Sequence, residues 1–245
     1  MKKIFLLFVI FIAINSCSKP SQCVESTGAN ITKSFDGSFE KVTAYKGIEL
    51  IISQGAQCKV LVQTGENLMS NIEVSFADNM LTLKDNTTCN WVREYGQTKV
   101  FITAPNITDI ICKTERNISS NGVLTFPILR LNSMDLSDGA GTGDFNLQIN
   151  NSQVVIENNN ISNYYISGQT DNLMVNFYEG NGRLQADAFH ANTIKIFHRG
   201  SNDLILFPIT SIQGDIYSTG NVICKNHPTE TPQVVAHYHG QLYFQ

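Results

Sequence analysis

The apolar positions of this chain change their pattern twice. Residues 4–14 form an unbroken apolar run of 11 behind Lys2 and Lys3. Such a run is too short for a bilayer span of about 20 residues, and with its basic start it has the form of a secretory signal. Residues 18–34 (SKPSQCVESTGANITKS) are small and polar without an apolar period, which predicts a flexible tether. From Phe35 apolar and polar positions alternate. GIELIIS, CKVLVQT, NIEVSF, MLTLKD and TKVFITA each read as a short half-buried strand. Turn signals separate them: Gln54-Gly55, Thr64-Gly65-Glu66-Asn67, Asp78-Asn79 and Asp85-Asn86. The best helical candidate is a single turn over residues 66–70.

Beyond Pro105 charge thins out and a second order appears. Turns rich in Gly, Asn or Ser precede alternating apolar residues in GTGDFNLQI, NISNYYIS, GNGRLQADAF, GSNDLILFPI and STGNVICK. Phe145, Tyr165, Leu184, Leu204 and Val222 fall at equivalent places, with spacings of 20, 19, 20 and 18. A further strand precedes each turn: QVVIEN, LMVNFY, TIKIFH and IQGDIYS. A period near 20 in an all-β sequence predicts a solenoid, because a single unit cannot bury its apolar side and a stack can. With strands about 4.8 Å apart, residues 105–227 would make roughly six coils, roughly 30 Å tall. Phe145, Leu184, Leu204 and Val222 are expected to point inward. A β-sandwich or irregular barrel is the competing all-β architecture. The layout is then N-terminal strands forming the first coils (35–104), repeat coils (105–227) and a C-terminal cap strand (228–245), set off by Pro228 and Pro232.

Charge and cysteines narrow the setting. Ile14-Asn15-Ser16-Cys17 resembles a lipobox, in which the cysteine is acylated and becomes the first residue of the mature chain. That reading makes this an outer-membrane lipoprotein of the cell envelope, held to the membrane through Cys17. Removal of residues 1–16 takes Lys2 and Lys3 away and leaves a formal net charge of −6. An acidic balance argues against nucleic acid, whose binding needs a basic stripe. Cys23, Cys58, Cys89, Cys112 and Cys224 remain, an odd number that cannot all pair internally. Cys112 and Cys224 lie in DIICKT and NVICKN and read as small buried hydrophobes. A disulfide of Cys89 with Cys58 or Cys112 stays open.

Four stretches together resemble a known family. They are SFEKVTAYKGIELIISQG, VQTGENLMSNIEVSFADNMLTLK, KVFITAPNITDIICKT and GDIYSTGNVICKNHP. In order and spacing they are similar to the auto-transporter adhesins with a head GIN domain, common as lipoproteins in Bacteroidetes-type bacteria. The resemblance covers residues 35–244. It implies a right-handed parallel β-helix, outside the cytoplasm and without known enzymatic residues. The Ser-Gly-Ser-Gly-Asp corners of that family are eroded here to DGAGTGD, GNG, RGSND and STGN. Surface export in such lipoproteins resembles an address of acidic residues just after the lipidated cysteine. The first acid after Cys17 is Glu25, so the periplasmic side is expected, although both sides stay open.

Candidate chemistry is sparse. Trp91 and Tyr95, with Arg93 beside them, are the expected ligand-binding residues, since aromatics on a sheet stack on sugars or anchor a protein partner. Tyr164, Tyr165 and Tyr178 are weaker aromatic candidates. Asp135, Asp138 and Asp144 could supply calcium ligands or, with Arg183 or Arg199, the paired acids of a glycan-cleaving enzyme. Their spacing matches neither an EF-hand loop nor the G-G-x-G-x-D calcium repeat, and a solvated corner is the plainer reading. His190 and His198 are placed on successive strands. His237 and His239 would share a face but have no third ligand beside them. No metal, cofactor or catalytic residue is expected. The function expected is a non-catalytic, lipid-anchored β-helix module binding a glycan or protein, with homo-oligomerisation through exposed strand edges open to it. A β-helix polysaccharide lyase or hydrolase and a self-assembling structural envelope protein are the alternatives.

Overall fold

A computed structural model describes residues 23–87, 89–94, 96–135 and 141–245. The signal, the lipobox at Cys17 and the first part of the tether lie outside the described residues. The chain is all-β, with strands β1 (Asn30–Phe35), β2 (Lys41–Tyr45), β3 (Ile48–Gln54), β4 (Lys59–Gly65), β5 (Ile72–Ala77), β6 (Met80–Asp85) and β7 (Thr98–Ala104) in its first part. The second part adds β8 (Asp109–Lys113), β9 (Ile118–Leu124), β10 (Ile128–Ser133), β11 (Phe145–Asn158), β12 (Asn163–Phe177), β13 (Arg183–His198) and β14 (Leu204–Ile216). Strands β15 (Val222–Cys224), β16 (Gln233–Ala236) and β17 (Leu242–Phe244) complete it. The expected helical turn is one 3-10 turn, Met69–Asn71.

Two parallel ladders run the length of the stack. One aligns Leu81, Val42, Ile110, Leu131, Ile156, Val175, Ile196, Gly214 and Val234. The other aligns Val100, Leu50, Ile118, Phe145, Tyr164, Leu184, Leu204, Val222 and Leu242. From Leu81 to Ile196 and from Val100 to Val222 these side chains are fully or almost fully buried and form one continuous core. Alternation within each strand turns every second side chain inward, and stacking places like on like. This is the expected solenoid, with about six turns.

Four details differ from the sequence reading. Tyr164, not Tyr165, continues the column from Phe145, and their rings stack at 4.7 Å. The corner before Tyr164 is one residue shorter than the repeat, so Tyr165 turns outward and is 44% exposed. The tether is shorter than expected, because β1 pairs antiparallel with β4 and Cys23 is buried. Strand β1 keeps most of its side chains in solvent, which is why no apolar period marks it. Cys89 pairs with Cys23 rather than Cys58 or Cys112. Cys112 is sealed in the core, and Cys58 is half-buried beside the Phe39 carbonyl. Finally, residues 228–245 form two strands where one was expected. Strands β16 and β17 pair parallel with β14 and β15 and add another coil.

Corners are held by polar ladders. The Asp144 carboxylate accepts from Asn163 backbone N and Nδ2, and Asp203 accepts in the same way from Asn221. Inside one corner Ser133 and Ser162 hydroxyls bond each other at 2.8 Å. Gly180 (φ 90°) sits where a Cβ would lie 2.4 Å from the Asn160 carbonyl, so this corner admits only glycine. In the N-terminal part the Asp78-Asn79 turn has positive φ at both residues, 51° and 61°, and closes the β5–β6 hairpin.

Candidate functional site

The outer face of the β10–β16 ladder is the most developed surface. Strand pairing lines up Arg130, Val155, Met174, Lys195, Gln213 and Gln233 in one outward column. Asn132, Glu157, Asn176, Phe197, Asp215 and Val235 form the next. Met174, Lys195, Gln213 and Gln233 line a shallow cavity of about 500 Å³, and they also line a second of about 370 Å³ with Asp215 and Val235. On the same face Arg130 makes salt bridges to Asp109 and Glu157.

An aromatic column borders the groove. Tyr178 and Phe197 have ring centroids 5.8 Å apart, Phe197 and Tyr217 5.3 Å, and Tyr217 and His237 4.3 Å with near-parallel planes. The His237 ring N–H donates to Asp215 at 2.7 Å, which fixes the imidazole flat against Tyr217. Tyr217 is 41% exposed. Burial, and then the Glu157 carboxylate, push the Tyr178 phenol above its ordinary value, so it remains a hydroxyl. Tyr217 and His237 turn their ring faces to each other, so the column offers an apolar ridge of ring edges while adjacent amides and charges can bond to hydroxyls.

The sequence reading caught this column only in part. Tyr178 and His237 stand among its candidates separately; Phe197 and Tyr217 do not. Their spacings of 19, 20 and 20 carry the repeat period, so the signal was present on the outward register as well as the inward one.

The expected ligand residues lie elsewhere. Trp91 is 76% exposed at the tip of the β6–β7 loop, and Val92 beside it 61%. Tyr95 lies outside the described residues. Arg93 turns inward: its side chain is buried, and its guanidinium donates to the Glu25 and Cys89 carbonyls at 2.8 Å. It braces the loop and does not join Trp91 at the surface. Tyr164 is in the core.

Acid and histidine candidates are likewise dispersed. Asp138 is outside the described residues, Asp144 is engaged by Asn163, and the Asp135 backbone N–H donates to Asn159. His190 and His198 share the single strand β13 rather than successive strands. His190 stacks on Phe207 at the surface, and His198 is buried. His239 packs edge-on against Tyr238, away from the His237–Asp215 pair. Among the described residues no three His, Cys, Asp or Glu side chains are grouped to hold a metal. Burial raises the Cys112 thiol and pushes Cys224 up to about 12, as suits small core hydrophobes.

This architecture defines the class: a β-solenoid that presents flat parallel-sheet faces. Within it, the chain belongs to the family described as "Putative auto-transporter adhesin, head GIN domain", whose profile matches residues 38–228. Similar folds are found in a putative adhesin from Bacteroides fragilis (TM-score 0.79, 18% identity, 90% of this chain and 100% of that one). A putative adhesin from Parabacteroides merdae is also similar (TM-score 0.57, 15% identity, 90% and 98%). So is a putative lipid binding protein from Parabacteroides distasonis (TM-score 0.65, 13% identity, 90% and 99%). No curated protein matches this sequence.

Proposed function

We propose that this protein is a non-catalytic binding module of the cell envelope, anchored by lipid at Cys17, and that its outer β10–β16 face takes an extended glycan. One observation carries the reading. The Tyr178–Phe197–Tyr217–His237 column runs along the stack beside an amide- and charge-lined groove. A ridge of ring edges repeating at strand spacing suits apolar contact with a chain of pyranose units laid along the coils. The Cys23–Cys89 disulfide supports an oxidising compartment outside the cytoplasm. Membership of an adhesin family supports a binding role. The lyase or hydrolase alternative gains nothing from Asp144, whose carboxylate serves a corner ladder.

A glycan array probed with the protein and with Tyr217→Ala tests the ligand. Binding by the parent that falls about tenfold in the variant, roughly 1.4 kcal/mol, is expected. Binding of matrix proteins with a silent array would replace the glycan by a protein ligand. The anchor is tested separately: Cys17→Ala should move the protein from the membrane pellet to the soluble fraction.

A further inference from the structure

We propose that the Trp91 loop is a membrane foot, in which Trp91, Val92 and Val24 seat in the interfacial layer of the bilayer that holds the acyl chains of Cys17. The proposal rests on the lipoprotein reading above. Trp91, Val92 and Val24 are 76%, 61% and 60% exposed. They come from two segments that the Cys23–Cys89 disulfide joins, and the Trp91 N–H donates to the Cys23 carbonyl at 2.8 Å. Three exposed apolar residues therefore belong to one covalently braced tip.

The tip has the construction that a lipid interface requires. Polar groups entering a bilayer need internal partners. Here Asn90 Nδ2 donates to the Arg93 carbonyl and Asn90 Oδ1 accepts from the Arg93 N–H, both at 2.8 Å. The Arg93 guanidinium is buried and donates to the carbonyls of Glu25 and Cys89. Among the described residues of the tip the exposed apolar side chains are Val24, Trp91 and Val92, and tryptophan is favoured at membrane interfaces.

Proximity selects a bilayer as the occupant. Cys23 follows Cys17 by six residues, so an extended chain lets them separate by no more than about 20 Å. A tip this small binds lipid weakly by itself. Tethered so closely, it meets the membrane at an effective concentration in the millimolar range. Glu94 is exposed beside it, so the contact draws on apolar burial and not on anionic lipid. The loop joins β6 to β7, the layer at the start of both ladders. A seated foot holds that layer next to the bilayer.

The chain has one tryptophan, so its fluorescence reports the foot directly. The mature lipidated protein would be reconstituted into phosphatidylcholine–phosphatidylethanolamine vesicles. The reference is the same chain carrying Cys17→Ser, unlipidated in buffer. Expected results are co-flotation with vesicles, a blue-shifted emission, several-fold weaker quenching by iodide and quenching by brominated acyl chains. Val24→Ser with Val92→Ser should keep flotation and restore iodide quenching. Co-flotation with iodide quenching equal to the reference overturns the foot, leaves the anchor standing and frees the tip for a soluble ligand. A blue shift without quenching by brominated lipid also overturns it, since Trp91 is then covered by protein. Failure to float overturns the anchor, and the foot with it.

Discussion

In residues 30–104 strands pair in both directions; in residues 105–245 every described pairing is parallel. The difference lies in how the two ends treat an open strand edge. At the start, β4 folds back antiparallel on β7 and β1 on β4, while β5 folds back on β6. The chain also visits β2 and β3 before laying β6 and β7 beneath them, so its first layers are not stacked in sequence order. Hairpins finish this end with local contacts, and a disulfide across 66 residues ties the loop to the N-terminal segment. At the other end β16 and β17 each pair with a single strand, and Val235 and Tyr243 remain exposed. Unpaired edges of this kind invite pairing. The repeat part shares its stability between neighbouring coils, whereas the first part adds hairpins and a covalent link to the shared core.

That contrast can be broken most forcefully in the coils. Leu204 is fully buried between Leu184 and Val222. Leu204→Ala should cost about 2–5 kcal/mol in a denaturant unfolding experiment. A loss below about 0.5 kcal/mol would mean that the column does not carry the coils.

Cys23→Ala with Cys89→Ala comes next. Opening so long a loop should cost about 2–4 kcal/mol, and hydrogen exchange should rise in β1 and the β6–β7 loop before it rises in β12–β14. Equal acceleration in both parts would show that the link stabilises the whole stack.

Acid should act on the coils. His198 is buried in the corner column between Phe177 and Ile216. Burial lowers its imidazole from 6.5 to about 4. Above about pH 6.5 the ring is neutral in both states, and stability does not depend on it. As pH falls below that, the unfolded chain binds the proton while the folded one resists. Stability therefore declines and levels off below about pH 4, with a total loss of about 3 kcal/mol. His198→Leu should flatten this profile; an unchanged profile would assign the acid sensitivity to another group.

Tyr217→Ala should be the mildest for stability, within about 0.5 kcal/mol, because the side chain is half exposed on the outer face. A larger loss would make the aromatic column a structural support for the coils and weaken its claim to a ligand.

The sequence by itself determined the strands, their two-residue alternation and the stacking of coils. Each depends on which side of a strand a residue faces, and burial writes that into the chain locally. The columns through Phe145, Leu184, Leu204 and Val222 were legible for this reason, as was the family. Tertiary structure decided the rest. Corner length chose Tyr164 over Tyr165, a one-residue change that sends a side chain to the opposite face. Folding across 66 residues brought Cys23 to Cys89, and no spacing along the chain announces such a meeting. Arg93 looked like a surface partner of Trp91 until two backbone carbonyls claimed its guanidinium. The aromatic column arose from four residues on four successive coils, so only the stacked coils could join Tyr178, Phe197, Tyr217 and His237 into one surface.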